Sequence, residues 1–139
     1  MANEITVQSN LTHTAGGSTV TSATTTDIVN DDSADKRHSL IIQDVGTSAT
    51  EAISVGDVNT AKQYWVRLRN LNASNASPSP YVLIYTTSGG SDVEIGRINQ
   101  GETWGPCRMK AISSGNPTLK VRSFEAICQV EVIACQAEA

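Results

Sequence analysis

The chain reads as an all-β protein, an antiparallel β-sandwich of jelly-roll type with about eight to ten short strands. Three observations predict it. Apolar and polar residues alternate in short runs, and no stretch of about a dozen residues sustains the apolar spacing of a helix. Gly, Pro, Asn and Ser turns separate these runs at intervals of roughly 8–12 residues, the rhythm of sandwiches and barrels. About thirty residues are Ser or Thr, and Thr suits a pleated, half-buried surface. A jelly roll closes two sheets from about eight strands. An immunoglobulin-like sandwich is the alternative topology, but its Cys…Trp…Cys spacing is absent.

The elements follow in chain order. Ile5, Val7 and Leu11 mark a first strand that ends before Gly16-Gly17. Residues 19–29 are Thr-rich and read as a second strand, broken near Ala23. Residues 30–35 form a polar, acidic loop with strong turn chemistry. A third strand spans 39–45 around Leu40-Ile41-Ile42, and a short one covers 52–55 before Gly56-Asp57 turns the chain. Residues 63–71 give the clearest strand: Tyr64, Val66 and Leu68 face one way and Trp65, Arg67 and Arg69 the other. A Ser/Asn/Pro loop over 72–80 follows. Strands over 81–87 and 93–98 then flank Ser88-Gly89-Gly90-Ser91-Asp92, a hairpin with a loop longer than the tightest kind. The strand over 103–109 is interrupted by Gly105-Pro106, which predicts a bulge or an edge position. After a turn at 113–117, strands over 118–124 and 126–135 finish the chain, the last reading as central from its dense apolar content.

One domain suits 139 residues, with residues 31–139 as the sandwich. Residues 1–30 lack aromatic residues, Lys and Arg, and read either as two edge strands or as an extended arm that adds a strand to a neighbouring subunit. At 39% hydrophobic and 4% aromatic residues, the core must rest on Val, Ile, Leu and Ala. That supply is thin, which points to moderate stability or to apolar surface buried against other subunits. A net charge of -4 with scattered basic residues argues against nucleic-acid binding. No segment approaches the roughly 20 apolar residues of a membrane span, and no leader pattern opens the chain. Synthesis in a cytoplasm is expected.

No chemistry-bearing motif stands out. Cys107, Cys128 and Cys135 lack C-x-x-C spacing and read as free thiols, with Cys128 and Cys135 on opposite faces of one strand. Asp31, Asp32 and Asp35 beside His38 do not match a calcium loop and read as a solvated acidic loop. Asp92 and Glu94 share a strand face, but glycosidase carboxylates face each other across a cleft, so the pair reads as hairpin surface. His13 and His38 are the only histidine bases, and there is no G-x-S-x-G elbow. Ser88-Gly89-Gly90 and Gly16-Gly17-Ser18 lack the Lys and helix of a phosphate loop. The expectation is a non-enzyme with no cofactor and no metal. Trp65 with Arg67 and Arg69 is the composition favoured at interface hot spots, so this face is the candidate contact surface, with a core Trp65 rimmed by the two arginines as the alternative. Trp104 reads as a core or loop-packing residue.

The order of strand, Asn70-Leu71-Asn72-Ala73-Ser74-Asn75 turn, Gly89-Gly90 hairpin, Gly101-Glu102 turn and closing strand resembles small all-β structural proteins of tailed bacteriophage particles. The opening Met1-Ala2-Asn3-Glu4-Ile5-Thr6-Val7 shares the resemblance, while residues 76–80 and the cysteines depart from it. The resemblance implies a capsid decoration or cement protein on the shell surface of the virion. Its partners would be the major capsid protein and further copies of itself as a homotrimer, with no nucleic acid and no membrane. Ile5, Val7, Trp65, Arg67 and Arg69 are the candidate subunit or capsid interface. A head-fibre or tail-associated structural protein is the second reading. A carbohydrate-binding attachment module is the third, disfavoured by only six aromatic residues.

Overall fold

The computed structural model describes residues 4–9, 12–15, 18–21, 25–30, 38–73, 79–109 and 119–136, those before 38 as backbone only. Every described element is a strand or a turn. Eight strands build the sandwich: β5 (His38–Val45), β6 (Glu51–Ala52), β7 (Tyr64–Asn70), β8 (Tyr81–Ser88), β9 (Ser91–Ile98), β10 (Thr103–Met109), β11 (Leu119–Phe124) and β12 (Cys128–Gln136). They form two four-stranded antiparallel sheets, ordered β10-β7-β12-β5 and β6-β11-β8-β9. The chain passes from one sheet to the other at every connection except the β8–β9 hairpin.

Alternation of apolar and polar residues drives this layering. Along β7, Tyr64, Val66, Leu68 and Asn70 are buried while Trp65 and Arg67 are half-buried and Arg69 is exposed. Val130, Val132 and Ala134 of β12 face the same interior, as do Val82 and Ile84 of β8 and Leu119 and Val121 of β11. The core is therefore aliphatic, as the composition requires, with Tyr64 its one fully buried aromatic side chain. Burial raises the pKa of the Tyr64 hydroxyl. The expectation that the last strand is central holds: β12 pairs with β5 on one side and β7 on the other.

Four strands stand outside both sheets. β1 (Glu4–Ser9) pairs with β4 (Thr25–Asn30), and β2 (Thr12–Ala15) pairs with β3 (Ser18–Thr21), both antiparallel. The expected first strand through Leu11 is thus two strands. Between the Ser9–Thr25 and Thr12–Thr21 pairs lie two residues on one side and three on the other, so no single register spans both ladders. The two ladders are separate two-stranded sheets, and β1 comes beside β10 at the sandwich edge.

Two turns repay attention. Ser88 pairs with Ser91, so the β8–β9 loop is the two residues Gly89-Gly90, not the longer loop expected. Both have positive φ, 58° and 84°, which a two-residue turn matched to strand twist demands and glycine supplies without strain. In β10 the pairing with β7 shifts between Trp104 and Cys107, the bulge expected at Gly105-Pro106, and β10 is an edge strand. Gly105 has φ of 88°, and a Cβ there would lie 2.7 Å from the Val66 carbonyl oxygen. Trp104 packs partly buried against the core, its Nε1 3.2 Å from where a Cβ on Gly96 would sit.

Two substitutions probe this framework. Leu68→Ala should cost about 2–5 kcal/mol of unfolding free energy in urea titrations, because Leu68 is fully buried between the sheets. Gly105→Ala should cost about 1–3 kcal/mol through its left-handed backbone alone, and the close Val66 carbonyl adds to that.

Candidate functional site

Trp65, Arg67 and Arg69 do share a face, the outer face of the β10-β7-β12-β5 sheet. Register places their neighbours. Arg69 lies opposite Glu131, which lies opposite Ile42. One row on, Arg67 lies opposite Ile133, which lies opposite Leu40. A third row runs Trp65, Cys135, His38. The face is therefore an apolar strip of Leu40, Ile42 and Ile133, bordered one to two strand spacings away, up to roughly 10 Å, by the arginines. Leu40 and Ile42 are 63% and 57% exposed, too much for residues that a monomer would need to bury.

The polar groups on this face are unevenly satisfied. Arg67 donates from Nη2 to Glu131 Oε1 at 2.5 Å, so the carboxylate nearest both arginines is committed to one of them. Arg69 is exposed beside it. Trp65 Nε1 and Arg67 Nε are buried with no hydrogen-bond partner among the described residues. Each such group costs about 1–3 kcal/mol until an acceptor reaches it. An apolar centre with arginine and tryptophan at its side can hold another protein surface.

Ile5 and Val7 lie on β1, in register with Val29 and Asp27 of β4, and their side chains fall outside the described residues. Backbone proximity links β1 to β10, the neighbour of β7. The acidic cluster Asp31, Asp32 and Asp35 and the side chain of His13 also lie outside the described residues.

Sequence reasoning missed a second feature, on the outer face of the other sheet. Tyr81 and Phe124 are directly opposite on β8 and β11 and stack at 5.2 Å with 7° between their planes. The Arg97 guanidinium lies 3.7 Å from the Tyr81 ring centre and that of Arg122 lies 4.6 Å from Phe124. Each ring thus stacks on the other and has an arginine over it. Alternation alone placed Tyr81 and Phe124 outward. Their meeting depends on cross-strand register, which periodicity does not carry.

Asp92 and Glu94 share a face, as expected, but do different things. Asp92 accepts hydrogen bonds from Lys120 at 2.8 Å, Thr50 at 2.5 Å and Thr87 at 3.3 Å. Lys120 first and Thr50 next hold its carboxyl below the usual carboxylate range. It is a fixed anion, not a proton donor. Glu94 is exposed on β9. The three cysteines are free thiols. Burial pushes the Cys107 thiol up, and pushes Cys128 up against the opposing hydrogen bonds from Ser123 and Asn70, so neither is an activated nucleophile. Among the described residues no three His, Cys, Asp or Glu side chains gather into a metal site.

The Asp92 contacts predict an acid-limb effect. A carboxyl with a depressed folded pKa adds stability that is fully present above its unfolded value and is lost as pH falls through the folded value. Asp92→Asn should therefore lower the melting temperature at neutral pH, and the gap to wild type should close below about pH 4. Thermal melts across that range measure it. A gap that is constant with pH would show that the Lys120 pair contributes nothing.

No protein-family model matches this chain, and no curated protein sequence matches it either.

Proposed function

We propose that this chain is a non-enzymatic structural protein of a tailed-bacteriophage particle, a decoration or cement protein that binds the outer capsid shell and stabilises contacts between major capsid subunits. The observation that carries the reading is the outer face of the β10-β7-β12-β5 sheet. Leu40, Ile42 and Ile133 form an apolar strip there, bordered by Trp65, Arg67 and Arg69, and it is suited to another protein and not to a small ligand. The strand order supports the architecture. Eight antiparallel strands ordered β10-β7-β12-β5 and β6-β11-β8-β9, crossing between sheets at all but one connection, fit a jelly roll, a form that occurs in viral capsid and lectin domains. Fold alone does not assign the role, and the resemblance in turn residues supplies the rest.

The mechanism is linkage. A protein that binds the assembled shell but not its separated subunits favours the assembled state by mass action, by about 2.7 kcal/mol per site at a hundredfold excess over Kd. Many weakly stabilised sites then sum over a shell. The face needs no reactive group for this, only complementary shape and satisfied polar atoms.

Purified particles test the reading. The protein should be present in numbers comparable to the capsid subunits, and particles stripped of it should open at lower temperature or under milder osmotic shock. Rebinding of the pure protein should restore resistance, and Trp65→Ala should weaken rebinding. Presence in only a few copies per particle would favour the head-fibre or tail reading. Unchanged shell stability on removal would sink the cement role.

A further inference from the structure

We propose that the outer face of the β6-β11-β8-β9 sheet is a second contact surface, on which Arg97 and Arg122 receive the carboxylates of a short acidic segment of a partner protein. The inference deepens the reading above and rests on it. A chain that holds shell subunits together needs a contact on each of two neighbours, and this face points away from the Leu40–Ile42 strip.

Register sets the geometry. Arg122 of β11 and Arg97 of β9 lie directly opposite Leu83 of β8, one from each side. Their Cα atoms are thus two strand spacings apart, roughly 10 Å. Both side chains reach the next row, where Arg97 lies over Tyr81 at 3.7 Å and Arg122 over Phe124 at 4.6 Å from the ring centres. Those rings stack on one another at 5.2 Å, so both cations belong to one patch. Leu83 is outward by alternation yet only 8% exposed, so the side chains around it roof it.

The arginines are held but not neutralised. Arg97, exposed, donates from Nε to Asn99 Oδ1 at 2.8 Å, and Arg122 Nε is buried with no hydrogen-bond partner. Neither is in an ion pair among the described residues. A guanidinium over a ring uses its flat face there and keeps N–H donors at its edge, where a carboxylate can take two at once. Ring contact also limits the rotamer freedom that binding would otherwise remove.

The surroundings select the ligand. Asp92 holds Lys120, Thr50 and Thr87, and Glu102 Oε2 accepts from the Asn99 amide and from its Nδ2. With these polar groups bonded to one another, few remain for the hydroxyls of a sugar, and a protein carboxylate fits better than a sugar acid. Glu94, opposite Tyr85 in the row on the other side of Leu83, and Glu125, next in sequence to Phe124, are exposed. Together with a net charge of -4 they disfavour a long polyanion such as nucleic acid. A short acidic segment meets both conditions.

Titration of the isotope-labelled chain with an end-capped glutamate oligomer, followed by NMR at the arginine Nε–H signals, tests the proposal. The Arg97 and Arg122 signals should shift and saturate, and a capped lysine oligomer should move neither. Arg97→Gln should weaken the effect at Arg122, and Arg122→Gln the effect at Arg97, about tenfold or more. Circular dichroism reports folding, and the wild-type titration decides if a variant misfolds. Arginine signals that stay in place, or an oligogalacturonate that binds as tightly as the glutamate oligomer, overturn the proposal. Shells separate it from the reading it rests on. A chain with both exchanges should still bind them through the Trp65 face but no longer raise their resistance to heat. If it protects shells as wild type does, the second contact fails and the cement role stands. If wild type binds the glutamate oligomer yet leaves shell stability unchanged, the cement role fails and the carboxylate site stands.

Discussion

The sandwich depends on the placement of β12. This last strand inserts between β5 and β7 and pairs along eight positions with one and seven with the other. Its inward side chains, Cys128, Val130, Val132 and Ala134, lie in the middle of the core. At its far end Gln136 is fully buried and organises the approach to β7. Its Nε2 donates to the carbonyls of Asn59 and Gln63, and its Oε1 accepts from the Asn59 amide. Without β12 the first sheet is a β7–β10 pair and a lone strand. Because β12 joins residues some ninety positions back in the chain, the sheet closes only when nearly all of it is present, a topology that folds slowly.

The central strand also determines what the edges must do. β10 has a shifted register at Gly105-Pro106, and β9 has a shift beside Ile95, both devices that interrupt an edge ladder. β5 has a regular register along its length and carries two outward apolar side chains. On the opposite sheet the Tyr81–Phe124 stack has Arg97 over one ring and Arg122 over the other. Among the described residues the exposed large apolar side chains are Leu40, Ile42, Val93, Ile95 and Ile127, and Leu40 and Ile42 lie on the β5–β12–β7 face.

Some of this was legible in the residues themselves. The split of Tyr64, Val66 and Leu68 from Trp65, Arg67 and Arg69 follows from the two-residue period of a strand, which does not depend on neighbours. The bulge at Gly105-Pro106 was readable because proline removes a ladder donor. The Gly89-Gly90 turn was read as too long because Ser91 and Asp92 look like turn residues, yet both pair within the ladder to Ser88 and Thr87. The first strand was read as continuous because alternation persists across it, whereas pairing partners are set by the opposing segment.

By itself, then, the sequence determined the strand class, the inward and outward faces of each strand and the aliphatic character of the core. Those properties are local, a matter of backbone period and of which side chains leave water. Only the tertiary structure decided that Leu40 and Ile42 continue the Arg67–Arg69 face, that Tyr81 meets Phe124, and that β1–β4 and β2–β3 pair outside both four-stranded sheets. These are facts of register and strand order between segments far apart in the chain. A one-residue slip in pairing reverses every face, so they exist only once the strands have met.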